Sequence, residues 1–184
     1  MTPMLGIMAS QISGHLFAPS GAYDSIATTT LTTTTGSVTF SSIPATYTHL
    51  QIRIFAFTAG GAANTKVQFN SDTGANYAWH QLYGDGGSVG ANAYTAETGV
   101  KTAPLAGSTT IAGVGVIDIL DYANTSKYTT VRTLGGHDNN GSGYSMFRSG
   151  LWLNTAAIST IVLAPDSSSF TQYSRFALYG IKGA

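Results

Sequence analysis

The chain has 184 residues and no cysteine. Disulfides, zinc–thiolate centres and thiol nucleophiles are thereby excluded. Charge is scarce as well. Asp, Glu, Lys and Arg make up 9% of the residues, against about 25% in an ordinary soluble domain. Eight basic and eight acidic side chains cancel, and neither sign forms a run. A nucleic-acid partner needs clustered Lys and Arg, so none is expected. No apolar run reaches the ~18 residues of a membrane-spanning helix, and no membrane partner is expected either. The first basic side chain other than histidine is Arg53, so the basic start of a secretory signal peptide is lacking. Heptads, collagen-like triplets and β-helix repeats, which build fibre shafts, are missing too.

What remains is a surface of Thr, Ser, Asn, Gly and Tyr. Such a surface offers little charge repulsion between copies, so self-association is easy. A homo-oligomer, such as a trimer, is the expectation.

The pattern is that of an all-β protein. In Thr48 to Thr58, residues Leu50, Ile52, Ile54 and Ala56 share one face of an extended strand, and His49, Gln51, Arg53, Phe55 and Phe57 share the other. This period of two is the signature of a strand with one buried face. Nine further strands are predicted around it, at Tyr23–Leu31, Ser37–Ile43, Lys66–Asn70, Tyr77–Tyr83, Thr109–Tyr122, Lys127–Leu134, Tyr144–Leu153, Ile158–Leu163 and Arg175–Ile181. In Thr109–Tyr122, Ile117 and Ile119 share one face and Val114, Val116 and Leu120 the other. Turns are predicted at Pro44, Gly60-Gly61, Ser71–Gly74 and Pro165-Asp166. The Gly- and Ala-rich stretch from Gly84 to Gly99 reads as a surface loop, and so does His137–Gly143. About ten evenly spaced strands suggest an antiparallel jelly-roll-like β-sandwich occupying residues 22–184.

Residues 1–21 stand apart. Met4, Leu5, Ile7, Met8 and Ile12 fit one face of a short helix, followed by a Pro- and Gly-containing linker. A segment this short gains stability only by docking. It is expected to be an anchor that attaches the domain to a larger particle.

Catalytic patterns are weak. His137-Asp138 is the one adjacent His and acid pair, but no Gly-x-Ser-x-Gly elbow accompanies it. Asp138-Asn139-Asn140-Gly141 is oxygen-rich, yet it lacks the alternating acids and terminal Glu of a calcium loop. No catalytic residue, metal site or cofactor is predicted. Asp118 and Asp121 are expected to cap amides or pair with Lys127 and Arg132. Trp79, Tyr83, Tyr94, Tyr144 and Trp152 are aromatics able to stack against a glycan, and Trp79 and Tyr83, beside the Gly-rich stretch, are the first choice.

Several phrases recur in order: Tyr23-Asp24-Ser25-Ile26-Ala27-Thr28-Thr29-Thr30, Val38-Thr39-Phe40-Ser41-Ser42-Ile43-Pro44, Tyr47-Thr48-His49-Leu50-Gln51-Ile52-Arg53, Phe69-Asn70-Ser71-Asp72-Thr73-Gly74-Ala75-Asn76-Tyr77, Ile117-Asp118-Ile119-Leu120-Asp121-Tyr122-Ala123-Asn124-Thr125 and Phe176-Ala177-Leu178-Tyr179-Gly180-Ile181. Over Tyr23 to Ile181 the chain resembles small virion structural proteins of tailed bacteriophages, tail-fibre-like or decoration-like. The resemblance implies a non-enzymatic protein on the exterior of the virion, with other virion proteins as partners. It brings no functional residues with it. A capsid decoration or cement protein, or an accessory module, is the first expectation, because nothing here builds a shaft. The alternative is a tail-fibre or receptor-binding module that recognises host surface glycan.

Overall fold

The computed structural model describes residues 21–183. In chain order they form β1 (Tyr23–Thr30), β2 (Val38–Phe40), β3 (His49–Ala56), β4 (Thr58–Ala59), β5 (Ala63–Phe69), β6 (Tyr77–Gly84), β7 (Val89–Glu97), β8 (Val100–Leu105), β9 (Gly113–Leu120), β10 (Thr129–Asp138), β11 (Gly143–Trp152), β12 (Ile161–Pro165), β13 (Ser169–Phe170) and β14 (Arg175–Ile181). There is no helix among the described residues, and hence none able to cross a membrane. The expected anchor residues Met4, Leu5, Ile7, Met8 and Ile12 lie outside the described residues.

Two antiparallel sheets make the sandwich. The larger has the order β1-β14-β3-β9-β10-β11-β6-β7, and the smaller has the order β2-β12-β5-β8. The chain starts in the larger sheet, crosses to the smaller for β2, returns for β3 and crosses again for β5. Later it runs from β8 to β9, then through β12 to β14, changing sheets each time. The chain thus alternates between the two sheets, as in two-sheet jelly rolls, and β8 of the smaller sheet lies over β9, β10 and β11 of the larger. β6, β7, β10 and β11 extend one edge of the larger sheet. β4 and β13 form a small ribbon of their own.

β3, the strand read from Thr48 to Thr58, lies near the centre of this arrangement. Leu50, Ile52, Ile54 and Ala56 are buried, as the alternation predicts. Ile52 is flanked by Leu178 on β14 and Ile117 on β9. Across the core, Phe69 of the smaller sheet packs on Trp152 of the larger at 5.5 Å between ring centroids, and on Tyr77 at 6.2 Å. Tyr77 is satisfied at its polar end. It accepts from the Phe69 amide at 3.0 Å and donates to the Asp72 carbonyl at 3.1 Å.

β8 lies closest to the larger sheet, and glycines make room for it. A Cβ on Gly115 would stand 2.6 Å from the Ala103 Cβ, and one on Gly150 would stand 2.5 Å from a Val100 methyl. Glycine at these two positions therefore serves close approach of two backbones.

The structure departs from the sequence reading at several places. Gly84–Gly99 is not a loop throughout. Val89–Glu97 is the edge strand β7, paired along β6. Its small, mostly exposed side chains carry no alternation to read. β8 was not anticipated, because Pro104 argues against a strand interior. As the edge of the smaller sheet β8 tolerates it, with a register shift opposite β5. β5 begins at Ala63, three residues before the expected start, and β12 begins at Ile161, three after. Ile43 is buried although Ser42, at φ 55°, interrupts the alternation before it. His137 and Asp138 belong to β10, so the loop shrinks to Asn139–Ser142.

Candidate functional site

β8 packs over β9, β10 and β11, and toward β6 and β7 the larger sheet outruns its partner. The inner face of β11, β6 and β7 is therefore left partly open beside the edge strand β8. A groove of about 650 Å³ forms there. Strand alternation sets its floor: Trp79, Gln81 and Tyr83 from β6, Asn92 and Tyr94 from β7, and Tyr144, Met146 and Arg148 from β11. Asn64 and Lys101, with Asp166 just after β12, supply the wall.

Pairing register fixes who meets whom. Trp79 is opposite Tyr94, Gln81 opposite Asn92 and Arg148 opposite Gln81. The rings of Trp79 and Tyr94 stack at 4.1 Å with 24° between planes. Trp79 is consequently 3% exposed, whereas Tyr94 is 39% exposed. Of the two residues predicted to stack against a glycan, both line the groove, but only Tyr83 offers surface. Trp79 instead backs Tyr94, whose other side is partly open.

Arg148 holds the groove together. It is buried, yet among the described residues no carboxylate lies within ion-pair distance of it. Its Nε donates to the Gln81 side-chain oxygen at 2.9 Å and its Nη2 to the Asn64 side-chain oxygen at 2.7 Å. Its Nη1 donates to the Thr102 carbonyl. The guanidinium carbon also lies 5.4 Å from the Trp79 ring centroid, a cation–π distance. One side chain thus ties β11 to β5, β6 and β8. Burial pushes the guanidinium down to about 10, so it stays protonated at neutral pH.

Asp166 is occupied as well. It pairs with Lys101 at 2.8 Å and accepts from the Asn64 amide at 2.8 Å. Burial pushes its carboxyl up, but Lys101 and Asn64 outweigh that and hold it below the ordinary carboxylate range. An ionised, fully engaged carboxylate is poorly placed to deliver a proton, since a general acid needs a raised pKa.

His137 and Asp138 do not form a pair. Neighbours on a strand point to opposite faces. His137 lines the groove, edge-on to Tyr144 at 5.8 Å between centroids. Asp138 turns to the hairpin and accepts from the Asn140 amide at 2.7 Å and the Gly141 amide at 3.4 Å. Among the described residues, no group of three or more His, Asp or Glu side chains is placed to hold a metal ion. Asp121 does pair with Lys127, as expected. Asp118 instead accepts from Gln51 at 2.8 Å.

Sequence reasoning missed Arg148, Asn64, Gln81 and Asn92 as groove residues, whereas Tyr94 and Tyr144 belong to its wider set of stacking aromatics and do line the groove. One signal was available. In β11 the inward series Met146, Arg148, Gly150, Trp152 places a charge where an apolar residue belongs.

Compared with protein-family models, with curated proteins and with solved structures, the chain matches none.

Proposed function

We propose that this protein is a non-enzymatic structural module on the exterior of a tailed-phage virion, and that its groove binds a saccharide of the host surface. The virion part rests on the phrases between Tyr23 and Ile181. The saccharide part rests on one observation: Tyr94, backed by Trp79 at 4.1 Å, stands half-open in a groove also lined by the amides Asn64, Gln81 and Asn92, by Tyr83 and Tyr144, and by the charged Glu97, Lys101, Arg148 and Asp166. A ring held on one side and open on the other suits the apolar face of a pyranose. Asn64, Gln81 and Asn92 supply donors and acceptors for hydroxyl groups. The groove's volume falls in the usual range for small-ligand sites.

This shifts the balance between the two positions on the particle. The receptor-binding module becomes the favoured reading, and the capsid decoration becomes the second. The second keeps support from a broad apolar strip on the outside of the larger sheet. Non-enzymatic action is supported by the divergence of His137 from Asp138 and by the engagement of Asp166 with Lys101 and Asn64.

The test is a glycan array, followed by titration with capsular and O-antigen polysaccharides, using the full chain and its Tyr94→Ala and Tyr83→Ala variants. Saccharide retention by the wild type, weakened at least about tenfold by Tyr94→Ala, is the expected result. Retention of no saccharide, or retention indifferent to both substitutions, rejects the groove as the binding site. Release of reducing ends from a bound polysaccharide would reject the non-enzymatic reading.

A further inference from the structure

The outer face of the larger sheet carries two rows that run straight across its strands. In the first, cross-strand pairing places Ala91, Leu82, Phe147, Leu134 and Val116 side by side on β7, β6, β11, β10 and β9. The neighbouring row reads Val89, Gly84, Ser145, Gly136, Val114 and Phe55. The first row is a ridge of large apolar side chains. The second is a trough, low at Gly84, Ser145 and Gly136 and closed at its ends by Val89 at one side and Val114 and Phe55 at the other. A third row, with His80, Ser149, Arg132, Asp118 and Gln51, is polar.

Val89 is 91% exposed, Leu82 and Leu134 are 61% each, and Phe147, Val114 and Phe55 are 45, 45 and 44%. Together they expose roughly 600 Å² of apolar surface, at the upper end for the largest patch on a monomer. Neither the ridge nor the trough contains a charged side chain from β7 to β9; on β3 the ridge row ends at Arg53, beyond Val116. A standard interface takes about 800 Å² from each partner, and this strip supplies the larger part of that.

We infer that this face packs against the same face of a second copy of the chain. The shape argues for a copy over another partner. A two-fold axis lying along the rows, midway between them, carries each ridge over the opposite trough. Leu82, Phe147 and Leu134 of each copy then fill the low line of Gly84, Ser145 and Gly136 in the other. Such an interface is self-complementary, as a two-fold contact must be. It is also the ordinary face-to-face packing of two sheets. An uncharged strip meets no like-charge repulsion from its own image. The groove lies on the inner face of the same strands, so it stays open in each copy. The inference does not depend on the saccharide reading.

Sedimentation velocity of the full chain at micromolar concentration tests it. The wild type is expected to sediment as an oligomer of the chain. Leu134→Glu with Phe147→Glu, at exposed positions, should raise the apparent dissociation constant at least about tenfold. Ser145→Arg, which fills the trough and leaves the ridge intact, should do the same. Thr28→Glu, at the far edge on β1, should leave the mass unchanged. Circular dichroism of each variant should match the wild type. A wild type that runs as a monomer overturns the inference, whether the strip is bare or covered by the chain's own residues 1–20. So does an oligomer that survives both the ridge and the trough substitutions.

Discussion

The indole N–H of Trp152 donates to a carboxylate oxygen of Asp72 at 2.8 Å, joining the end of β11 to the turn between β5 and β6. Trp152 is 1% exposed, so this bond settles the one polar atom of a large buried ring. Asp72 also accepts from the Gly74 amide at 2.9 Å and from the Asn76 amide nitrogen. The carboxylate therefore sets the turn and the ring together. Asp72→Ala leaves the indole donor buried and unmatched, and should cost about 1–3 kcal/mol. The urea midpoint is the measurement, and an unchanged midpoint would show that water replaces the carboxylate.

Acid should weaken the fold through the same group. The Trp152 bond, helped by Gly74 and Asn76, holds Asp72 below the ordinary carboxylate range in spite of burial. Lys127 holds Asp121 down, and Lys101 and Asn64 do so for Asp166 against its burial. A carboxyl whose folded pKa is lowered stabilises the native state above its unfolded value, near 3.9, and loses that contribution as pH falls through the folded one. Stability to urea should be flat from about pH 7 to pH 5 and should fall below about pH 4. Asp72→Asn should flatten the acid limb. A fall that starts near pH 6 would point to a histidine instead.

Ile52 tests the central face of the sandwich. It is fully buried between Ile117 and Leu178. Ile52→Ala should cost about 2–5 kcal/mol in chemical denaturation, the range for a large-to-small change in a packed core. Val114→Ala, at an outward and exposed position of β9, should cost well under about 1 kcal/mol. Equal costs at the two sites would deny the face assignment.

Close approach at β8 gives a contrast between glycines. Gly115→Ala forces a Cβ to 2.6 Å from the Ala103 Cβ, and both atoms are fixed to backbone. A loss of about 1–3 kcal/mol is expected. Gly36→Ala meets nothing within 4 Å, and should be neutral or mildly stabilising by up to about 1 kcal/mol. Thermal denaturation of the two single variants reads the difference directly.

These contrasts show which parts of the fold the residues made legible. β3 and β9 were readable because each has one buried and one open face, so the apolar residues alternate. β14 was readable to its ends for the same reason. β7 has small side chains on both faces and sits at an edge, so burial never imposed a pattern on it. β8 is buried along nearly its whole length and carries Pro104, which hid it twice over. The groove was half visible. Aromatic Trp79 and Tyr83 pointed to β6, but the stacking of Tyr94 on Trp79 depends on the β6–β7 register, which local sequence does not encode. Arg148 finds Gln81, Asn64 and Thr102 only after four strands have assembled. Such long-range meetings follow from topology, which periodicity does not supply.

Arg148 makes the last test, because stability and binding should fail together there. Its three polar contacts reach β5, β6 and β8. Arg148→Ala removes a charged donor from Gln81, Asn64 and the Thr102 carbonyl, and leaves a void beneath Trp79. Hydrogen bonds to a charged group contribute about 1.5–3 kcal/mol each when measured by deletion, and they do not add when they share one donor. A total loss of about 3 kcal/mol is therefore expected. Arg148→Lys should recover little, since an ammonium cannot present a planar fork to three acceptors on different strands. If the groove binds saccharide through Tyr94, the Lys variant should also bind more weakly, because the Trp79–Tyr94 stack loses the guanidinium beside it. Calorimetric unfolding and saccharide titration of the same two preparations separate the effects. Full stability in Arg148→Lys would show that charge alone sustains the groove, and the hydrogen-bonding geometry would lose its claim.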